Sequence, residues 1–163
     1  MKCLVFSDSH GESRYMKEII LMHSDAEAVF FLGDGLREVD VLREGFRDKI
    51  WVAVRGNCDF YAYFGDAPAQ KLETLYLSGY KISATHGDLY GAKYGLGGLI
   101  KLGLDTGADI VLFGHTHLPL EKYVSDYERP VYLFNPGSIS SGSRSFGIMD
   151  LGEKPFFSHG NVL

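Results

Sequence analysis

The sequence lacks several features that mark secreted, membrane-spanning or disulfide-stabilised proteins. Its two cysteines, Cys3 and Cys58, lie far apart and form no CxxC pair, which disfavours a disulfide framework and a thiolate metal site. The apolar run from Cys3 to Phe6 is too short for a signal peptide, and no later run is long enough to cross a bilayer. We therefore expect a cytoplasmic protein with reduced thiols and no membrane partner.

Concentrated positive charge is also missing. The formal net charge is −5, and the 16 Lys and Arg residues are scattered, with no run of more than two adjacent basic residues. Binding along a nucleic acid needs concentrated positive charge, so no extended nucleic-acid partner is expected. A small phosphate ester remains compatible with this charge, because bound metal ions can supply the positive charge instead.

Nothing in the chain divides it into separate folding units. It has no internal repeat, no low-complexity tract and no linker rich in Pro, Gly and Ser. With 163 residues, 45% of them hydrophobic, it is long enough to form one sizeable core. We predict a single domain spanning residues 1–163.

Short, β-rich apolar runs recur along the chain, and each stops at a polar cluster. We interpret them as buried strands, although a short apolar run alone does not exclude a buried helix. The six runs are Cys3–Phe6, Ala28–Leu32, Ile50–Val54, Lys81–Thr85, Ile110–Phe113 and Val131–Phe134.

Helical patterns lie between these runs. Ser13 is a candidate N-cap for a helix whose apolar face holds Met16, Ile19, Ile20 and His23. Weaker patterns predict helices over Leu36–Arg43 and, despite its glycines, over Lys93–Leu104. Alternation of strands and helices favours an α/β fold with a largely parallel sheet.

The last third of the chain has a different pattern, with consecutive strands separated by turns. We expect these strands to form a second, mostly antiparallel sheet, so that the whole is a two-sheet sandwich with helices outside. The predicted strands are Glu121–Ser125, Val131–Phe134, Phe146–Leu151 and Pro155–His159.

Polar side chains suited to metal binding follow the predicted strands, where α/β sheets bind ligands. Taken singly, such residues are usually turn formers, and Gly33-Asp34 or Asn57 alone would indicate only a turn. Their recurrence at five strand ends favours a metal site instead. The candidate ligands are Asp8, His10, Asp34, Asn57, His86, His115 and His117.

The candidate ligands also indicate the kind of metal. Carboxylates, imidazoles and an amide suit Mn²⁺, Fe, Zn²⁺ or Ni²⁺. Seven ligands exceed one tetrahedral site but fit two ions bridged by a carboxylate, which can span ~3.5–4 Å. Asp34, from the second strand, is the natural bridge.

Five ordered motifs make the sequence resemble the calcineurin-like metallophosphoesterases over nearly the whole chain. The motifs are Asp8-Ser-His10, Gly33-Asp34, Gly56-Asn57-Cys58-Asp59, His86-Gly87 and Gly114-His115-Thr116-His117. The short length and Asn135-Pro136-Gly137-Ser138 resemble the small bacterial and archaeal phosphodiesterase subgroup. The resemblance implies an α/β fold of two mixed β-sheets packed as a sandwich and flanked by helices.

The resemblance also implies a ligand set and a reaction. One divalent ion would be bound by Asp8, His10, Asp34 and His117, and the other by Asp34, Asn57, His86 and His115. We expect Mn²⁺, with Fe, Ni²⁺ or Zn²⁺ as alternatives. The two ions would activate a hydroxide that attacks a small phosphate ester, with no covalent enzyme intermediate.

The chain departs from the family at Cys58, where many members have a histidine that assists the leaving group. Cys58 is predicted as a catalytic residue, but a small packing residue is an equally good interpretation. Asp59 is the second predicted catalytic residue, orienting Asn57 or a water molecule; a plain turn carboxylate is the alternative. The following stretch of Phe60, Tyr61, Tyr63 and Phe64 could stack on a nucleobase or contact another subunit, with core packing favoured.

The missing histidine favours phosphodiesters over phosphomonoesters, so we predict a two-metal phosphodiesterase. A phosphomonoesterase is the first alternative. A protein-interaction scaffold resembling the retromer subunit of this fold is the second, although all seven ligand positions are filled here. A homo-oligomer remains open.

Overall fold

The computed structural model of the protein describes residues 1–60, 63–142 and 144–162. Its helices are α1 (Ser13–Met22), α2 (Leu36–Arg43), α3 (Gly97–Thr106) and a short 3₁₀ helix (Asp88–Tyr90). Its strands are β1 (Lys2–Phe6), β2 (Ala28–Phe31), β3 (Ile50–Ala53), β4 (Tyr63–Phe64), β5 (Ala67–Pro68), β6 (Leu72–Leu77), β7 (Tyr80–Thr85), β8 (Ile110–Leu112), β9 (Pro119–Val124), β10 (Val131–Pro136), β11 (Ser145–Leu151) and β12 (Pro155–Asn161). No described helix combines the length and the apolar character needed to span a bilayer.

Two five-stranded sheets form the body of the protein, with strand orders β12-β11-β1-β2-β3 and β6-β7-β8-β10-β9. In the first, β1, β2 and β3 are parallel, while β11 and β12 are antiparallel additions. In the second, β7, β8 and β10 are parallel, flanked by antiparallel β6 and β9. Both sheets are mixed, which confirms the predicted α/β fold class.

The central strands are buried on both faces, which explains why they read as unbroken apolar runs. Cys3 and Val5 of β1 pack between the two sheets, together with Ile110 and Leu112 of β8. The alternate residues Leu4 and Phe6 belong instead to the cluster formed with α1 and α2 on the outer face. Helix α3 covers the outer face of the second sheet in the same way.

The predicted helices agree with the structure in position but differ at their ends. Helix α2 has the predicted bounds, whereas α1 begins at Ser13, with Glu12 rather than Ser13 at the cap position. Helix α3 begins at Gly97, four residues after the predicted start. Gly95 has a φ of 151°, a conformation outside the helical region, so the chain cannot be helical through it.

The prediction that the tail forms its own antiparallel sheet was wrong. Strands β9 and β10 belong to the second sheet, whereas β11 and β12 extend the first sheet beside β1. Strand β6 was not predicted, because it is a partly exposed edge strand without a continuous apolar run. Which strands pair is decided by contacts between distant segments, and local patterns do not encode them.

The favoured core location of the aromatic stretch was also wrong for two of its members. The side chains of Phe60 and Tyr63 are 81% and 56% exposed. Phe64 does pack, with its ring 6.4 Å from that of Trp51. Tyr61 lies outside the described residues. The chain therefore presents two aromatic rings to solvent directly after the Asn57 motif.

Candidate metal centre

The predicted ligands converge at one end of the sandwich, beyond the carboxyl ends of five parallel strands. Backbone hydrogen bonds join the loops that carry them: Asp8 N–H donates to Gly33 O at 2.9 Å, and His10 N–H donates to Asp34 O at 2.9 Å. On the second sheet, Gly114 N–H donates to His86 O at 2.9 Å. The strand-end loops of the two sheets thus form a common site.

The backbone of these loops is strained at the candidate ligands themselves. Of the seven non-glycine residues described with positive φ, five are predicted ligands. Their φ values are 55° for Asp8, 43° for His10, 61° for Asp34, 66° for His115 and 60° for His117. Such conformations are uncommon for residues with a Cβ and cost about 1–3 kcal/mol each. Concentrated strain of this kind is typical of a functional site.

Asp8 is fully buried and presents one oxygen without a hydrogen-bond donor. Its Oδ2 accepts hydrogen bonds from Ser7 Oγ at 2.5 Å and from His115 N at 3.1 Å. Among the residues that the structure describes, none forms a hydrogen bond with its Oδ1, although His117 Nε2 is 3.1 Å away and His86 Nε2 is 4.0 Å away. An unsatisfied buried carboxylate oxygen is costly, and a cation at this point would remove that cost.

His86 is held in one orientation and aimed at the other ligands. Its Nδ1 lies 2.7 Å from Leu32 O, and because a carbonyl oxygen only accepts, Nδ1 carries the proton. When the ring is neutral, Nε2 therefore has a free lone pair. It lies 3.1 Å from Asn57 Oδ1, 3.2 Å from His115 Nδ1 and 3.4 Å from Asp34 Oδ2. Four potential ligand atoms thus converge in a small volume.

Asp34 lies between two groups of side chains. With Asp8 and His86 it forms one group that could hold a cation, and with His10 and Cys58 it forms another. Within each group, one potential ligand atom from each residue lies within 4.8 Å of the other two. Oδ1 also accepts a hydrogen bond from Cys58 N at 2.8 Å. A carboxylate in this position suits a bridging role.

The charges of Asp34 and His86 support each other. Burial acts to raise the pKa of Asp34, but hydrogen bonding and charge from His86, together with the Cys58 N–H, hold that pKa well below its ordinary value. Burial likewise lowers the pKa of His86, but Asp34 and Asp8 outweigh it and leave that pKa raised. The site therefore holds ionised carboxylates that attract positive charge.

Gly33 and Gly56 allow the two loops that flank Asp34 to approach each other. A Cβ placed on Gly56 would lie 2.0 Å from Asp34 Oδ1 and 2.5 Å from its backbone nitrogen. A Cβ on Gly33 would lie 2.5 Å from Gly56 N. Only glycine fits at these positions without moving the carboxylate, which gives the Gly-Asp and Gly-Asn motifs a physical reason.

Asp59 binds backbone groups rather than facing the ligands. Its Oδ1 accepts hydrogen bonds from Gly35 N at 2.9 Å and Leu36 N at 3.0 Å, at the start of α2. Its Oδ2 accepts from Asp34 N at 2.7 Å and Gly56 N at 2.9 Å. The carboxylate therefore caps a helix and joins the loops that carry Asp34 and Asn57. This geometry supports a positioning role for Asp59.

Cys58 is exposed at the open side of the centre. Asn57 Nδ2 donates a hydrogen bond to its Sγ at 3.4 Å. Partial burial, followed by the neighbouring Asp34 carboxylate, raises the pKa of the Cys58 thiol above its ordinary value. The thiol is therefore protonated near neutral pH, which is compatible with a weak proton donor. The alternative of a small buried packing residue was wrong, because the side chain is exposed.

Three serines that received no role in the sequence analysis make hydrogen bonds to the candidate ligands Asp8 and His117. Ser138 Oγ and Ser140 Oγ donate to Asp8 O at 3.0 and 2.8 Å. Ser141 Oγ lies 3.1 Å from His117 Nδ1, where it can fix the ring's orientation. Asn135 Nδ2 donates to Gly114 O at 2.9 Å, which steadies the loop before His115. Their strand-end position after β10 was the available signal.

A cavity of about 720 Å³ adjoins the centre on the side of His10 and Cys58. It continues along the start of α2 and reaches Phe60 and Tyr63. Its volume lies within the ~300–1,000 Å³ common for small-molecule sites. The site therefore has both a polar centre and room for a ligand beside it.

The family model for the calcineurin-like phosphoesterase superfamily domain matches residues 1–154 of this sequence. This chain belongs to the calcineurin-like phosphoesterase superfamily. The resemblance seen in the sequence is thereby confirmed. Members of the superfamily depend on divalent metals, and the described residues include groups able to hold such ions.

Individual members of the superfamily are similar to this chain over most of their length. The probable metallophosphoesterase YsnB of Bacillus subtilis is 34% identical over 140 residues, covering 85% of this chain and 75% of YsnB. The phosphodiesterase YfcE of Escherichia coli strain K12 is 29% identical over 176 residues, covering 92% of this chain and 88% of YfcE. The chain is thus similar to small bacterial members of the superfamily.

The fold is also found in a vacuolar sorting protein. Vps29 of Cryptosporidium parvum superimposes with a TM-score of 0.74, covering 99% of this chain and 98% of that chain, at 17% identity. At this identity the likeness concerns the fold alone. The superfamily fold therefore occurs both in phosphoesterases and in a sorting protein.

Proposed function

We propose that the chain is a single-domain, two-metal phosphodiesterase that hydrolyses small phosphodiesters. The observation that carries the proposal is that Asp8, His10 and His117 could hold one ion, while Asp34 lies within reach of His10 in one group and of Asp8 and His86 in another. One ion would be held by Asp8, His10, Asp34 and His117, and the other by Asp34, Asn57, His86 and His115. The side chains fit such ions, since Asp8 Oδ1 has no hydrogen-bond donor within the described part of the chain and Nε2 of neutral His86 has a free lone pair.

When bound, the ions supply the charge that lowers the pKa of a water molecule and offsets negative charge on the phosphate. The protein's own contribution is to fix the ligands in advance. Leu32 O orients His86, Ser141 orients His117, and Asp59 holds the loops of Asp34 and Asn57. Preorganised ligands reduce the rearrangement that the reaction would otherwise require.

The preference for diesters rests on Cys58 and on a relative. A protonated thiol beside the cavity is a poor substitute for an imidazolium, so esters whose leaving group needs little help should react best. YfcE, which is similar over most of the chain, is named a phosphodiesterase. We further propose Mn²⁺ as the metal, with Fe, Ni²⁺ or Zn²⁺ as alternatives, and a small phosphate ester rather than an extended nucleic acid as the substrate. The cytoplasmic location and a homo-oligomer stay predictions.

The test combines metal analysis with hydrolysis of matched esters. Purified protein, supplied with Mn²⁺, should bind two ions per chain and hydrolyse bis(p-nitrophenyl) phosphate faster than p-nitrophenyl phosphate. Elemental analysis and nitrophenolate release provide the two measurements. Faster monoester hydrolysis would make the protein a phosphatase. Bound metal without hydrolysis of either ester would favour a non-catalytic scaffold, the alternative that the Vps29 likeness raises.

A further inference from the structure

The cavity beside the metal centre has an unusual lining for a solvent-facing surface. Val41, Phe60 and Tyr63 all line it, and their side chains are 73%, 81% and 56% exposed. Burying a side chain of this size is worth about 1.5–3 kcal/mol, so leaving three exposed in one place is a cost. Exposed apolar groups gathered at a cavity mark a binding surface.

The residues that follow in the sequence show that an aromatic side chain in this region can be packed. Phe64, one residue after Tyr63, lies against Trp51 and under the Arg43 guanidinium, 5.1 Å from the ring centre. The short hairpin of β4 and β5 thus anchors Phe64 on the protein while Tyr63 stays at the cavity. Phe60 and Tyr63 therefore remain exposed at the cavity, whereas Phe64 beside them is packed.

The polar groups that α2 contributes to the cavity carry both signs of charge. Arg37 is exposed and Glu38 half-buried, and no ion pair within the described ranges involves either of them. Asp40, by contrast, is paired with Arg43, with Oδ1 2.6 Å from Nε. A planar ligand with donors and acceptors on its edge fits this combination, whereas a purely apolar or purely anionic ligand does not.

We propose that this cavity binds the nucleobase of a nucleotide phosphodiester, with Phe60 as the stacking platform. The inference rests on the proposed function, which places the phosphate at the metal ligands, one of which, His10, lines the cavity. Stacking on an aromatic side chain is worth ~1–3 kcal/mol per base and accepts any base. Arg37 and Glu38 lie where they can meet the polar edge of the base. The net charge of −5 favours a mononucleotide or dinucleotide over a long strand.

A binding experiment isolates the base from the phosphate. Adenosine 5′-monophosphate and ribose 5-phosphate share the sugar phosphate, so titration calorimetry of Mn²⁺-loaded protein with each should show the nucleotide binding at least about tenfold more tightly. In Phe60→Ala that ratio should fall towards one. Phe156→Ala removes a phenylalanine that is 66% exposed on β12, outside the cavity, and should keep the wild-type ratio. Because Phe60 is exposed, its substitution should leave the melting temperature unchanged.

A kinetic experiment tests whether the proposed nucleobase subsite contributes to hydrolysis. Thymidine 5′-p-nitrophenyl phosphate and methyl p-nitrophenyl phosphate share a leaving group, but the first carries a nucleoside where the second carries a methyl group. Wild-type kcat/KM should favour the thymidine ester by about tenfold or more, and Phe60→Ala should lose most of that preference. An equal loss on both esters would assign the cavity to the leaving group and overturn the proposal.

The two experiments separate this inference from the proposed function. If neither ester is hydrolysed but the binding ratio depends on Phe60, the proposed function fails and the nucleobase subsite stands. If the esters are hydrolysed but the nucleotide binds no better than ribose 5-phosphate, the subsite is wrong. Tighter binding of choline phosphate than of adenosine 5′-monophosphate would also overturn it, because the cavity would then hold a cation.

Discussion

The two halves of the candidate metal centre differ in how much of their geometry the protein fixes. Asp8, Asp34 and His86 are buried, and each has at least one hydrogen bond to the protein that sets its orientation. The other half faces solvent or the cavity and comprises His10, Asn57, Cys58, His115 and His117. The difference suggests that the buried half defines where ions bind, while the open half adjusts what they act on.

The strongest test of the buried half is Asp34→Asn. A neutral amide bridges two cations poorly, so we expect kcat/KM on bis(p-nitrophenyl) phosphate to fall about a thousandfold, the equivalent of several kcal/mol. Metal content should fall with it. The matched control is Asp126→Asn in the exposed turn between β9 and β10. Full activity with two bound ions in Asp34→Asn would refute the bridging role.

Asp59 tests whether the buried half depends on its supporting loops. Asp59→Ala removes the acceptor for four backbone N–H groups, so we expect about 2–4 kcal/mol less stability in urea unfolding, with activity reduced as well. Asp59→Asn should lie between, because its amide nitrogen cannot accept from two N–H groups. Asp126→Ala serves as the surface control. Loss of activity in Asp59→Asn without loss of stability would restore a direct catalytic role.

Ser141 tests the open half, where orientation depends on a single contact. Without its hydroxyl, His117 Nδ1 loses its described partner, and we expect Ser141→Ala to weaken Mn²⁺ binding about tenfold. Competition with a chelator measures that affinity directly. Ser125→Ala, an exposed serine at the end of β9, is the control. Unchanged affinity would show that His117 is oriented by other means.

Cys58 should give the smallest effect. If the thiol does not donate a proton, Cys58→Ser should stay within about twofold of wild type on nitrophenyl diesters, because the side chain is exposed. Rates for wild type should depend steeply on leaving-group acidity, since a departing alkoxide lacks an effective proton donor. Measuring kcat/KM across aryl and alkyl esters decides the matter. A flat dependence in wild type that becomes steep in Cys58→Ser would show that the thiol donates the proton.

The sequence predicted the features that depend on local pattern. Strands buried between the two sheets or under helices are continuously apolar, and their polar ends are conspicuous, so Asp8, Asp34 and His86 could be selected before their positions were known. Their roles as metal ligands remain predictions. The sheet to which β11 belongs, the exposure of Phe60 and the contact of Ser138 with Asp8 could not be predicted. Each depends on chain segments that meet only in the folded protein, and Ser138 and Asp8 are 130 residues apart.

The positive φ of the candidate ligands restricts which metals the site could come to prefer through mutation. At His115 and His117, with φ of 66° and 60°, a change to cysteine would favour softer ions but would place a less tolerant residue in a left-handed conformation. A β-branched residue would be worse still. Exchanging ligands thus carries a conformational penalty of its own, and a change of metal is more accessible through the residues that surround the ligands.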